Sequence, residues 1–167
     1  MEDADFLAHG LGMARDEVVI RESDPRWAAA FERESRTIGG VTLHHGGSTS
    51  VPGLCAKPIL DMLGECEDVT KLGIAGYESK GEYGIEGRRY FVRYDASNRI
   101  AFVHVHAFPR GHFEIDRHLR FRDRLRSDPE AAARYGELKR GLAVRFPKDR
   151  EGYMDGKHGF IQGIVGR

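Results

Sequence analysis

Cysteine is scarce in this chain: there are only two, Cys55 and Cys66. That is too few for a disulfide scaffold, and the pair fits a reducing compartment. No apolar run approaches the ~20 residues a membrane helix needs, and the N-terminus lacks a basic stretch leading into an apolar one. An excess of charge of one sign is also missing, because 26 basic and 26 acidic side chains cancel. This excludes the broadly basic surface that sequence-independent nucleic-acid binding requires, so any anion site must be local. Repeats, linkers and low-complexity segments are absent too. Together these absences predict a cytoplasmic protein with no membrane association and no extensive nucleic-acid binding. The 167 residues form one domain, enough to bury roughly two-thirds of the unfolded surface.

What is present is a change of period along the chain. Residues 1–16 carry only scattered Leu7, Leu11 and Met13, with a short helix as the sole expectation. Val18 to Ile20 is a short β-branched run. Asp24-Pro25 reads as a helix start, and Trp27, Phe31 and Ile38 follow at near-helical spacing up to Gly39-Gly40. Val41 to His45 and Ile59 to Leu63 are strand-like, the second apolar enough to lie mid-sheet. A weak helix is expected over Val69 to Ile74. Tyr90 to Tyr94 and Ile100 to Phe108 flank a polar turn at Asp95 to Asn98, the pattern of a β-hairpin. From Phe113 the period becomes helical: Phe113 to Arg126, a helix after Asp128-Pro129 reaching Phe146, and a last one over Arg150 to Ile164. Strands cluster centrally with helices before and after, so the fold class is α+β, a mixed α/β sheet with a helical C-terminal part.

Between the first two strands the chain writes His45-Gly46-Gly47-Ser48-Thr49-Ser50-Val51-Pro52-Gly53, and then Lys57-Pro58-Ile59-Leu60-Asp61. A turn of small residues lets phosphate approach backbone N–H groups, which makes Gly47, Ser48 and Thr49 candidate phosphate ligands. Asp61 interrupts an apolar strand, where an unpaired buried charge would cost several kcal/mol. It is therefore either paired structurally or faces a cleft at a strand end, where open sheets place ligands. Lys57 suits either a solvated loop or the counter-charge of a phosphate. His104 and His106, one residue apart on a strand, leave the same face. They suit a divalent metal or proton transfer beside Asp61, or a hydrogen-bonded sheet face. His45 would join them if the strands are neighbours, and His44 would point away. Arg88 or Arg89, at a strand start, can grip phosphate with two prongs, whereas the arginines of the helix after the hairpin read as a solvated face. Tyr153 and Lys157, four apart, share one face of the last helix, as ligand-facing groups or as a packing tyrosine beside a surface lysine.

The run Gly47-Ser48-Thr49-Ser50-Val51-Pro52-Gly53-Leu54 with Ala56-Lys57-Pro58-Ile59-Leu60-Asp61 resembles the signature of the GrpB family. Asp24-Pro25-Arg26-Trp27, Arg88-Arg89-Tyr90-Phe91, His104-Val105-His106, Phe121 to Arg126, and Tyr153 with Lys157 extend the resemblance over roughly residues 17–165. It leaves residues 1–16 as a variable N-terminal segment and 17–167 as the single family domain. The resemblance implies a distant relation to DNA polymerase beta-like nucleotidyltransferases, with a mixed sheet flanked by helices. It also implies a glycine-serine turn that binds triphosphate, with carboxylates that hold divalent metals. Gly47, Ser48 and Asp61 match that plan. Leu63 departs from it, standing where a second carboxylate two residues on would be, and His104 and His106 occupy the strand of the third. One carboxylate is a poor holder of two magnesium ions, whereas Asp61, His104 and His106 suit one ion, Mg²⁺, Mn²⁺ or Zn²⁺. The expected activity is nucleotidyl transfer on a nucleotide or another phosphorylated small molecule. The alternatives are a noncatalytic nucleotide-binding domain or a metal-dependent phosphohydrolase.

Overall fold

The structure, a computed structural model, describes residues 1–166. Among these residues, five α-helices surround a six-stranded mixed sheet. The strands are β1 (Met13–Ala14), β2 (Thr42–Gly46), β3 (Leu60–Cys66), β4 (Glu78–Ser79), β5 (Arg89–Tyr94) and β6 (Ile100–Pro109). Their order is β2-β3-β6-β5-β4, with β1 paired to β6. β3 runs parallel to β6 and the other pairs are antiparallel. The apolar run at Ile59 to Leu63 thus supplies an interior strand, flanked by β2 and β6 as its composition requires.

The helices start where their caps are written. Asp128 accepts the Ala131 N–H at 3.0 Å and Pro129 opens α4 (Pro129–Arg145). Asp149 accepts the Gly152 N–H at 2.9 Å at the head of α5 (Arg150–Val165). In α2 (Arg26–Ser35) the Asp24 carboxylate takes the Arg26 N–H at 2.9 Å. The helix ends before the Gly39-Gly40 pair. α1 (Asp3–Ala8) and α2 lay Phe6, Trp27, Ala30 and Phe31 against Leu60, Met62, Val103 and Val105 on one sheet face. Each large side chain buried there contributes about 1.5–3 kcal/mol. α3 (Phe113–Ser127), α4 and α5 pack on one another, joined by Val51, Leu54, Leu125, Ala131 and Tyr135. This unit covers the other side of the glycine-serine segment.

The β-branched run Val18 to Ile20 lies outside the sheet: Val18 packs with Leu142 and Tyr153, and the nearest pairing is a lone bridge from Arg21 to Ala56. One expectation needs correction. Val69 to Ile74 is a run of turns, not a helix, since Thr70 bonds back to the Asp68 carboxylate and its neighbours close short loops. The two-residue β4 was not anticipated. The N-terminal residues have a structural place: Phe6, Leu11 and Met13 are buried in the same cores as the rest of the chain.

Candidate functional site

Register decides which side chains meet. Asp61 on β3 stands opposite His104 on β6, and Leu63 stands opposite His106. Tyr90 and Val92 of β5 pair with His106 and His104. All of these therefore project from one face, the one turned away from α1 and α2. Asp61 Oδ1 lies 3.4 Å from His104 Nδ1 and 3.5 Å from His106 Nε2. The carboxylate is the shared centre of two imidazoles. Burial opposes ionisation of Asp61, but hydrogen bonding and charge from the two histidines outweigh it and hold the carboxyl well below its usual range. Burial drives His104 down to about 4 and lowers His106 as well, with Asp61 opposing in each case. At neutral pH the centre is one carboxylate and two neutral rings.

Gly47 sets how closely the turn can approach. It adopts φ +60°, and a Cβ there would fall 2.5 Å from Asp61 Oδ2 and 2.8 Å from Asp61 Cβ. Only glycine combines that backbone conformation with that contact. Ser50 and Val51 donate their N–H groups to the Gly47 and Ser48 carbonyls, which closes the turn as a short 3₁₀ segment, Ser48–Ser50. Arg122 reaches from α3 to the His45 carbonyl at 3.1 Å, and Arg126 to the Ser50 carbonyl at 2.7 Å. These two arginines, expected on a solvated face, anchor the turn.

The wall facing the sheet is made of amines over tyrosines. Lys57 Nζ lies 5.7 Å from the centre of the Tyr153 ring, and Lys157 Nζ lies 4.5 Å from the same ring. On α4, Lys139 Nζ sits 4.7 Å from the Tyr135 ring and donates to the Cys55 carbonyl. Burial lowers Lys157 to about 7 and Lys139 to about 8; Lys57 pushes both down further, while Asp61 pulls both up. Lys57 is also lowered by burial, with Asp61 opposing. Lys157 is thus no surface lysine. The signal that could have found Lys139 is a repeat: Tyr135/Lys139 and Tyr153/Lys157 are the same four-residue spacing on successive helices.

The other candidates divide between the two faces of the sheet. Thr49 is engaged by His45, whose Nε2 lies 3.0 Å from its hydroxyl, and His45 stacks on Phe31 at 4.7 Å on the opposite face of the sheet. His44, expected to point away, is on the Asp61 face but meets Glu65 at 2.9 Å. Arg89 also faces the other way and reaches toward the carbonyls of Val69 and Thr70, because strand alternation opposes it to Tyr90. Arg88 does enter the site: Nη1 donates to His106 Nδ1 at 3.2 Å, Nε to the Glu82 carbonyl and Nη2 to the Tyr83 carbonyl. Leu63 is 2% exposed and packed against Phe108 and Ile115, so its position is closed to a second carboxylate.

A family model described as GrpB protein matches residues 17–167. UPF0157 protein YqkA of Bacillus subtilis is 39% identical over 150 residues, 82% of this chain but only 43% of that protein, so the chain spans less than half of this relative. UPF0157 protein BH1888 of Halalkalibacterium halodurans is 36% identical over 163 residues, 90% of this chain and 82% of that protein. The crystal structure of conserved protein GrpB from Enterococcus faecalis superposes with a TM-score of 0.78 at 37% identity, covering 88% of this chain and 94% of that one. The matched segment includes the glycine turn, Asp61, both histidines and the tyrosine-lysine helices, and the chain belongs to the GrpB family.

Proposed function

We propose that the Asp61 cleft binds a phosphorylated small molecule, a nucleotide in first place, and transfers its nucleotidyl or phosphoryl group. A single divalent ion would serve this transfer. The observation that carries this reading is one carboxylate centred between two neutral imidazoles and close enough to couple electrostatically to half-buried Lys57 and buried Lys157. The donor set could close around one ion. Bonds of ~2.0–2.2 Å at tetrahedral angles separate donor atoms by about 3.3–3.6 Å; Asp61 Oδ1 is 3.4 and 3.5 Å from the two ring nitrogens, and the three donor atoms lie within 4.8 Å of one another, so the two rings would draw together on binding. The set does not fit two hard ions, because Asp61 is the sole carboxylate in it and Leu63 is sealed in an apolar cluster.

Asp61, His104 and His106 would hold the ion, which when bound supplies positive charge to a phosphate oxygen. The rest is the work of this chain's own groups. Lys57 and Lys157 offset phosphate charge from the helical side, and burial makes each contact stronger than it would be in water. Gly47 keeps the turn close against the carboxylate. Tyr90 stacks on His106 at 4.9 Å and fixes the plane of that ring.

The test combines elemental analysis with thermal shift against nucleoside triphosphates and coenzyme A precursors, in Mn²⁺ and Zn²⁺, for wild type and Asp61→Asn. The expected result is metal-dependent stabilisation by a phosphorylated ligand and incorporation of labelled nucleotide into an acceptor, with metal content lost in Asp61→Asn. No shift with any ligand, together with unchanged metal in Asp61→Asn, overturns the reading. Leu63 favours a second reading, a domain that binds nucleotide without turning it over. Binding with no transfer and no phosphate release under any divalent ion would establish it.

A further inference from the structure

The guanidinium of Arg88 has donors only, so the His106 Nδ1 that meets Arg88 Nη1 at 3.2 Å must present a lone pair. A neutral imidazole carries one N–H. With Nδ1 accepting, the proton sits on Nε2, the nitrogen that faces Asp61 Oδ1 at 3.5 Å. A metal-bound imidazole needs the reverse: the ligating nitrogen bare, and the other N–H given to a carbonyl or carboxylate. His106 is therefore set in the wrong tautomer for an ion beside Asp61. Arg88 is itself held in place. Its Nε and Nη2 donate to the Glu82 and Tyr83 carbonyls at 3.1 and 2.6 Å, and its guanidinium lies 5.0 Å from the Tyr90 ring, which stacks on His106.

We propose that Arg88 is a positioning residue that keeps the proton of His106 on Nε2, so that an ion loads the centre only when the Arg88–His106 hydrogen bond breaks. Arg88 thereby sets the affinity of the centre. The inference rests on the single-ion reading of Asp61, His104 and His106. In the loaded state, the Nδ1–H of His106 and the N–H of Arg88 would point at each other, two donors with no acceptor between them. Taking away the guanidinium removes that conflict and lets the ring adopt the ligating tautomer without losing a hydrogen bond.

The test is calorimetric titration with Zn²⁺ alone of wild type, Arg88→Met and Asp61→Asn, alongside ¹⁵N spectra of the imidazole rings in the unmutated protein without metal. Arg88→Met is expected to bind Zn²⁺ roughly tenfold more tightly than wild type, the scale of one outer hydrogen bond on a ligating histidine. The spectra are expected to show Nδ1 bare and Nε2 protonated on His106. Equal or weaker binding by Arg88→Met, with Asp61→Asn binding none, overturns the role of Arg88 and leaves the centre standing. Equal binding by all three proteins removes the centre, and the proposal with it. A proton on Nδ1 of His106 overturns the proposal even if Arg88→Met does not fold.

Discussion

Replacing Lys157 by methionine should make the protein more stable and less able to hold an anion, and both effects follow from where the amine sits. Lys157 is 7% exposed, rests on the Tyr153 ring, and is lowered from the usual lysine value to about 7, first by burial and then by Lys57. The unfolded chain binds a proton at this site up to about pH 10.4, whereas the folded one releases it near 7. Between those values the unfolded state holds more protons, so stability rises with pH and is lost as pH falls toward 7. At 1.36 kcal/mol per pKa unit, the burden on the fold is about 4 kcal/mol at pH 7 and about 2 kcal/mol at pH 9. Methionine keeps a similar length and carries no such burden. Denaturant unfolding followed by the fluorescence of Trp27, the single tryptophan and one that is buried, should therefore show Lys157→Met more stable at pH 7. The gap should narrow by about half at pH 9. Titrations of groups not coupled to Lys157 cancel in the difference, and those of Lys57, Lys139 and Asp61, which are coupled to it, change only the size of the gap. A variant no more stable than wild type at pH 7, or a gap that ignores pH, would refute the assignment of a strained buried amine. In the same variant, the thermal shift with nucleoside triphosphates should shrink, separating a binding lysine from a packing one.

Gly47→Ala should destabilise by about 1–3 kcal/mol through the left-handed backbone alone, and its Cβ, 2.5 Å from Asp61 Oδ2, should displace the carboxylate; unchanged metal content and melting temperature would contradict this. Leu63→Asp, which writes in the missing second carboxylate, should cost several kcal/mol because the position is sealed by Phe108 and Ile115. A variant that melts as wild type does and binds a second ion would show the Leu63 position to be open. Buried His45, lowered to about 4 chiefly by desolvation, is neutral in the fold. Its contribution is complete above the unfolded value of about 6.5 and disappears as pH falls toward 4, about 3 kcal/mol in all. His45→Phe should flatten the acid limb of a plot of melting temperature against pH, and an unchanged acid limb would count against it.

The sequence made the elements legible wherever local chemistry wrote them down. Asp128-Pro129 caps its helix, and the polar turn between Tyr94 and Ile100 joins a real hairpin. The same-face placement of His104 and His106 followed from alternation alone, and their approach to Asp61 needed only the parallel pairing of β3 with β6. What alternation could not supply was the phase of β2. His45 and His44 exchanged faces relative to the expectation because Gly46, not His45, is the partner of Asp61. Arg88 and Arg89 were equal in the sequence, and one strand position sends the first to His106 and the second to the far side. Val69 to Ile74 has apolar residues near helical spacing, yet Asp68 captures the Thr70 N–H and hydroxyl, and such local bonding competes with a helix. Arg122 and Arg126 were read as ordinary helix charges, and Lys139 drew no reading, because their partners, backbone carbonyls over seventy residues away, are set by tertiary packing.

The parallel ladder of β3 and β6 has a consequence for how the Asp61 centre comes into being. Because neighbours along a strand point to opposite sides, sliding β6 by one position would carry both imidazoles into the greasy interior and bring Val103 and Val105 out beside the aspartate. No intermediate arrangement retains half of the triad. The ring resonances of His104 and His106 would therefore report, during refolding, the moment at which two distant stretches of chain lock into step.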